Sequence, residues 1–142
     1  MGYDRAELTT CLEDCLGGRP VAAVIVGAGK LGRALLDYAG FSEYGTNILA
    51  AFDLNVLAEG DRSELKPVLP MSALADFCAA NSVSIGIVTV PKEAAQAVTD
   101  VLYRSGVRAF WCFAPCRLQL PPDAVIQYEN LALSLAHLKA RL

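Results

Sequence analysis

The stretch Val21-Ala-Ala-Val-Ile-Val-Gly-Ala-Gly-Lys-Leu-Gly-Arg33 decides how this chain folds. Val21–Val26 is a short, continuous apolar run rich in β-branched residues, as expected of a strand covered on both faces. Gly27-Ala-Gly29-Lys-Leu-Gly32 follows it, and Leu31–Tyr38 then repeats apolar residues at helical spacing. A G-x-G-x-x-G pattern that closes a buried strand and opens a helix has the context needed to cradle a pyrophosphate. Gly27 allows the tight turn, Gly29 lets phosphate approach the backbone, and Gly32 permits close packing of helix on strand. The free N–H groups of the helix start then face the anion. Without a ligand, the same glycines make an ordinary structural turn. Lys30 adds charge beside the phosphates or is simply an exposed loop lysine.

Outward from this unit the pattern continues. Ile48–Phe52 reads as a second buried strand, and Asp53 closes it about 20 residues beyond the last glycine, where a carboxylate accepts both hydroxyls of an adenosine ribose. That carboxylate repels a 2′-phosphate, so the expected cofactor is NADH or NAD⁺ rather than the phosphorylated form. Residues 54–71 read as irregular, 72–80 as a helix and 83–90 as a strand. A helix over 91–105 carries Pro91 at its first position and Gly106 after its end. Strands over 107–113 and 124–127 and a helix over 130–142 complete the series. An amphipathic helix over 4–16, with Leu8, Cys11, Leu12, Cys15 and Leu16 on one face, precedes all of this. Strands alternating with helices predict an α/β, Rossmann-like, doubly wound and mainly parallel sheet. Thr89-Val90-Pro91 ends the strand over 83–90 and should face the nicotinamide half of the cofactor.

Composition limits the function. The chain has 142 residues, 54% hydrophobic and 19% charged, with a formal net charge of -3. One domain of ordinary size follows. The acidic balance argues against this segment gripping a phosphate backbone by itself. Charged residues break every apolar stretch well short of a membrane span. Five cysteines, an odd number, and no apolar leader over the first 20 residues point to a cytoplasmic protein with reduced thiols. Cys11 and Cys15, at i, i+4, read as core rather than as ligands, and no metal site is expected. Cys112 and Cys116 flank Phe113-Ala-Pro115 and are either wall residues or a redox pair.

The acid/base equipment of a dehydrogenase is missing. The single histidine, His137, falls in the terminal helix, and no tyrosine has a lysine four residues on. A binding domain, not an enzyme, is therefore expected; a small NAD-dependent oxidoreductase or a CoA-binding domain are the alternatives. Mean hydropathy is +0.39, high for a lone domain. The surplus concentrates in the last helix, where Leu131, Leu135, Leu138 and Leu142 form a stripe widened by Ala132, Leu133 and Ala136. Such a helix needs cover on more than one side. Its exchange across the two-fold axis of a homodimer would supply that cover.

Taken together, Val26–Tyr38, Ala51-Phe-Asp53, Thr89–Gln96, Gly106-Val107, Phe113-Ala-Pro115 and Glu129-Asn130 resemble the Rex family of NADH-sensing transcriptional repressors over nearly the whole chain. The resemblance implies a homodimer with an exchanged C-terminal helix and NADH or NAD⁺ in the cleft. It implies that Gly27, Ala28, Gly29, Lys30, Leu31 and Gly32 hold the pyrophosphate and Asp53 the ribose. Thr89, Val90, Pro91, Phe113, Ala114 and Pro115 would line the nicotinamide region, with Tyr38 matching a family tyrosine beside it. Residues 1–19 would be a linker helix from a winged-helix DNA-binding domain not contained in this chain, 20–129 the nucleotide domain and 130–142 the dimerisation helix. DNA would be reached only through that winged helix. Cys112 stands where the family usually has Asn. Ala132 stands where it commonly has the Asp that partners the helix-end tyrosine in signalling.

Overall fold

A computed structural model describes residues 20–54, 62–63 and 66–142. The expected helix over 4–16, with Cys11 and Cys15, lies outside the described residues. The elements are β1 (Val21–Val26), α1 (Lys30–Asp37), β2 (Thr46–Asp53), β3 (Arg62–Ser63), β4 (Lys66–Pro70), α2 (Leu74–Asn81), β5 (Ile85–Val88), α3 (Lys92–Arg104), β6 (Ala109–Cys112), β7 (Val125–Tyr128) and α4 (Leu131–Ala140). Short 3₁₀ turns occupy Ala39–Tyr44 and Met71–Ala73.

One sheet runs through the molecule in the order β3-β4-β2-β1-β5-β6-β7. Every pairing is parallel except β3 against β4. The six parallel strands thus have the doubly wound order 3-2-1-4-5-6, whose switch point lies between β1 and β5. β1 is central because its side chains serve both faces, with the period of two that a pleated strand imposes. Val24 and Val26 join Phe52, Val88, Phe110, Leu74 and Leu102 under α2 and α3. Ala23 and Ile25 join Ile48, Ala51, Ile87 and Leu36 under α1. α3 packs tightly on β5 at Gly86, where a Cβ would stand 2.7 Å from a Leu102 methyl.

Two differences from the sequence reading matter. The stretch read as irregular contains β4, the third strand of the parallel order, hidden by Pro67 and Pro70. Both prolines are tolerated because only two residues of β3 lie outside this strand, which is nearly an edge. Pro91 is the N-cap of α3 rather than its first residue. The terminal helix forms as expected, started by Asn130, whose side-chain oxygen accepts the Leu133 N–H at 2.9 Å. All its residues are exposed, Leu135 at 67% and Leu138 at 58%. Among the described residues, no helix is long and apolar enough to cross a membrane.

Candidate functional site

The carboxyl ends of β1, β2 and β5 open onto a cavity of about 630 Å³, lined in part by Gly27, Gly29, Asp53, Leu54, Thr89 and Pro91. This lies within the size range of small-molecule pockets. It sits at the switch point, where parallel sheets of this kind leave a crevice.

The glycine loop is built for that position. Gly27 has φ +109, and a Cβ there would stand 2.7 Å from Thr89 Oγ1. At Gly32 a Cβ would come within 1.8 Å of the Gly27 carbonyl oxygen, so only glycine lets α1 start this close to the loop. Gly29 is different, since a Cβ there would meet nothing within 4 Å. Its bare face opens onto the cavity rather than onto protein, so its lack of a side chain leaves room for a ligand.

Hydrogen bonds hold the loop in shape. Asp53 Oδ2 accepts the Ala28 N–H at 2.7 Å, and the Arg33 Nε–H donates to the Ala28 carbonyl at 2.9 Å. Thr89 donates its N–H to Val26 O at 2.9 Å, and its hydroxyl lies 2.8 Å from Gly27 O and 3.1 Å from Val26 O. Asp53 at the end of β2 and Thr89 just after β5, the two strands that flank β1, therefore grip the loop from both sides. α1 starts at Gly29 with no acidic residue in its first turn, so its amino end keeps its positive polarity toward the cavity.

The cavity gathers Gly27, Gly29, Asp53, Thr89, Val90 and Pro91 from among the expected residues. Ala28, Lys30, Leu31 and Gly32 adjoin it in the loop and first helical turn without lining it. Four others lie apart. Tyr38 follows α1, 57% exposed, with its ring edge-on to Phe41 at 4.8 Å. Phe113 stacks at 4.6 Å on Trp111, Ala114 is buried beneath α3's side of the sheet and Pro115 is exposed. Sequence reasoning missed Met71 because it missed β4. It also missed Ala94, Ala97, Val98 and Val101, which line the cavity at the i, i+3, i+4, i+7 spacing of one α3 face. That spacing was readable once Pro91 was taken as the start. Among the described residues, Asp53 is the one ionisable side chain in the lining. His137 stands on α4, and no group of three or more potential metal ligands occurs among the described residues.

Comparison with known proteins accords with this architecture. Residues 19–116 match the family model of the CoA binding domain. The redox-sensing transcriptional repressor Rex of Thermoanaerobacter sp. (strain X514) is 35% identical over 99% of this chain and 63% of its own length. That of Clostridioides difficile (strain 630) is 38% identical over 94% of this chain and 64% of its own. The chain thus spans less than two thirds of these relatives. Among solved structures, RSP, a Rex-family repressor, superposes with a TM-score of 0.85 at 35% identity, over 99% of this chain and 68% of its own. RSP has been crystallised with β-NADH and with β-NAD⁺ and operator DNA. From these matches, the chain belongs to the CoA binding domain family and, within it, to the Rex family.

Proposed function

We propose that this chain is the NAD(H)-binding sensor part of a redox-responsive repressor. The open face of Gly29, next to the Ala28 N–H that Asp53 accepts, carries the reading, because it leaves room for a ligand between an anion-binding helix start and a ribose acceptor. Gly27 to Gly32 would hold the pyrophosphate, and Asp53 would accept the adenosine ribose while keeping the loop in place. Thr89, Val90 and Pro91 would line the path toward the nicotinamide. Phe113-Ala-Pro115 and Tyr38 would form its outer wall. Phe113 is tied to that path through its N–H, which donates to Val88 O at 2.9 Å. The nicotinamide supplies hydride chemistry in other proteins. Among the described residues the lining holds no acid/base pair to use it, which favours sensing over catalysis.

The five exposed leucines of 131–142 call for cover, and a second copy of the chain would supply it, α4 lying across the partner in a two-fold homodimer. Operator binding would reside in the part of the relatives' length that this chain does not span. That division fits a net charge of -3. Such a sensor of the NADH pool would work in the cytoplasm.

The family model's description raises CoA as a second ligand. CoA carries a phosphate on its adenosine ribose, and the Asp53 carboxylate would repel it. Fluorescence titration of the purified chain with NADH, followed by competition with CoA, tests the proposal. Saturable binding that excess CoA leaves intact is expected; no saturable NADH binding, or its displacement by CoA, would overturn it.

A further inference from the structure

Two cysteines meet at the carboxyl end of β6, away from the cavity lining. Cys112 is the last residue of the strand and is fully buried; Cys116 is partly buried against the same apolar cluster. The segment between them folds back on itself. The Cys116 N–H donates to Ala114 O at 2.8 Å, and the Cys112 thiol donates to the same oxygen at 3.7 Å. Ala114 O is thus shared by the two cysteines, by one through its thiol and by the other through its backbone, which sets them side by side against one apolar cluster. Both are free thiols. The platform beneath is fixed, because Phe113 N–H bonds to Val88 O and Glu129 N–H to Cys112 O, each at 2.9 Å.

We infer that Cys112 and Cys116 constitute a reversible disulfide site oxidised by hydroperoxides. The two thiols differ in access. Burial pushes the Cys112 thiol up, and the neighbouring Cys116 adds to the shift, so Cys112 stays protonated and shielded. Cys116 retains exposure and meets the oxidant. Its thiolate attacks one peroxide oxygen; the O–O bond breaks, hydroxide or alkoxide leaves, and Cys116 becomes a sulfenic acid. The Cys112 sulfur then attacks the Cys116 sulfur. The S–S bond forms, the S–O bond breaks, and the Cys112 proton leaves with the hydroxyl as water. Two thiols are oxidised and one peroxide is reduced, so the electrons balance. A thiol reductant reverses the step. The bridge would close Phe113-Ala-Pro115 into a covalent ring beside the lone tryptophan, Trp111, whose ring lies 4.6 Å from Phe113. The inference stands on the shared Ala114 carbonyl and the unequal burial of the two cysteines, and does not depend on which nucleotide binds.

Trypsin cleaves after Arg108 and Arg117, releasing both cysteines in one peptide apart from Cys11, Cys15 and Cys78. The full chain is reduced, exposed to hydrogen peroxide, alkylated under denaturing conditions and mapped by mass. The expected product is the 109–117 peptide lighter by two hydrogens and free of alkyl label, restored by dithiothreitol, with Trp111 emission changing in step. In Cys112→Ser, Cys116 should stop at a sulfenic acid trapped by dimedone; in Cys116→Ser, Cys112 should remain alkylatable. Full alkylation of both cysteines after peroxide, over-oxidation of Cys116 with Cys112 still labelled, or peroxide loss of Cys112 label in Cys116→Ser would overturn the proposal.

Discussion

The loop that begins at Gly27 and the helix that ends the chain are both apolar, yet they solve opposite problems. The loop is finished within the chain: Asp53 and Thr89 bond it on either side, Gly27 and Gly32 pack with no space for a methyl group, and only Gly29 is left open. The helix α4 is capped at Asn130 but otherwise unfinished, with Leu131, Leu133, Leu135, Leu138 and Leu142 all exposed. The opening at Gly29 belongs to a mostly apolar cavity of ligand size in which Asp53 places a carboxylate. Vacancy around α4 is broad and apolar, which suits a protein surface. The same excess of hydrophobic residues thus has two destinations, a core that is complete and a face that awaits a partner.

Substitutions separate the two regions. The largest effect is expected from Gly32→Ala, whose methyl would overlap the Gly27 carbonyl. A backbone shift there should cost about 1–3 kcal/mol in chemical denaturation and remove nucleotide binding as well. Unchanged stability would mean that the loop is less tightly set than its geometry indicates. Asn130→Ala comes next. It removes the bond to Leu133 N–H and should cost about 1 kcal/mol of helix stability, seen as lost ellipticity at the helical minimum. Smaller still on the fold is Leu135→Asp, which should leave it within about 0.5 kcal/mol because the side chain is exposed. By light scattering the parent chain is expected to be a dimer and the same variant a monomer; a persisting dimer would send the subunit contact elsewhere.

The smallest effect lies away from both regions, at the amino ends of β6 and β7. Tyr103 Oη donates to Asp123 Oδ1 at 2.5 Å, and Arg108 Nε reaches Oδ2 at 3.1 Å. The tyrosine hydrogen bond first, then the Arg108 charge, hold the Asp123 carboxyl below its usual range. Its contribution to stability is therefore present above the unfolded-state pKa and lost as pH falls through the lower folded-state value. Full exposure screens it, so Tyr103→Phe should only slightly flatten the acid limb of a pH–Tm profile and leave nucleotide binding unchanged. A large loss of binding in that variant would tie this edge to the cleft.

What could be read from the sequence follows from how local each signal is. β1, its loop and Asp53 were legible because a β-branched run and three spaced glycines encode their own geometry. The helix of 131–142 was legible because its leucines keep one spacing whether or not anything covers them. β4 was not, because Pro67 and Pro70 speak for a loop and only neighbouring β2 makes the segment a strand. Met71 was lost with it. Phe113-Ala-Pro115 shows a third case: its composition marks a turn, but its position beside Trp111 depends on how β6 pairs with β5.

The claim that Asp53 reads the adenosine ribose is the most exposed to test. Calorimetric titration of the parent chain and Asp53→Asn, which keeps an oxygen for the Ala28 N–H, with NADH and with NADPH measures it directly. Loss of charged hydrogen bonds worth about 1.5–3 kcal/mol predicts that the substitution weakens NADH about 10- to 100-fold. It should change NADPH much less, because the repelled phosphate is then relieved. Equal losses for both nucleotides would contradict the ribose role, and with it the reading of the cleft as an NAD(H) sensor.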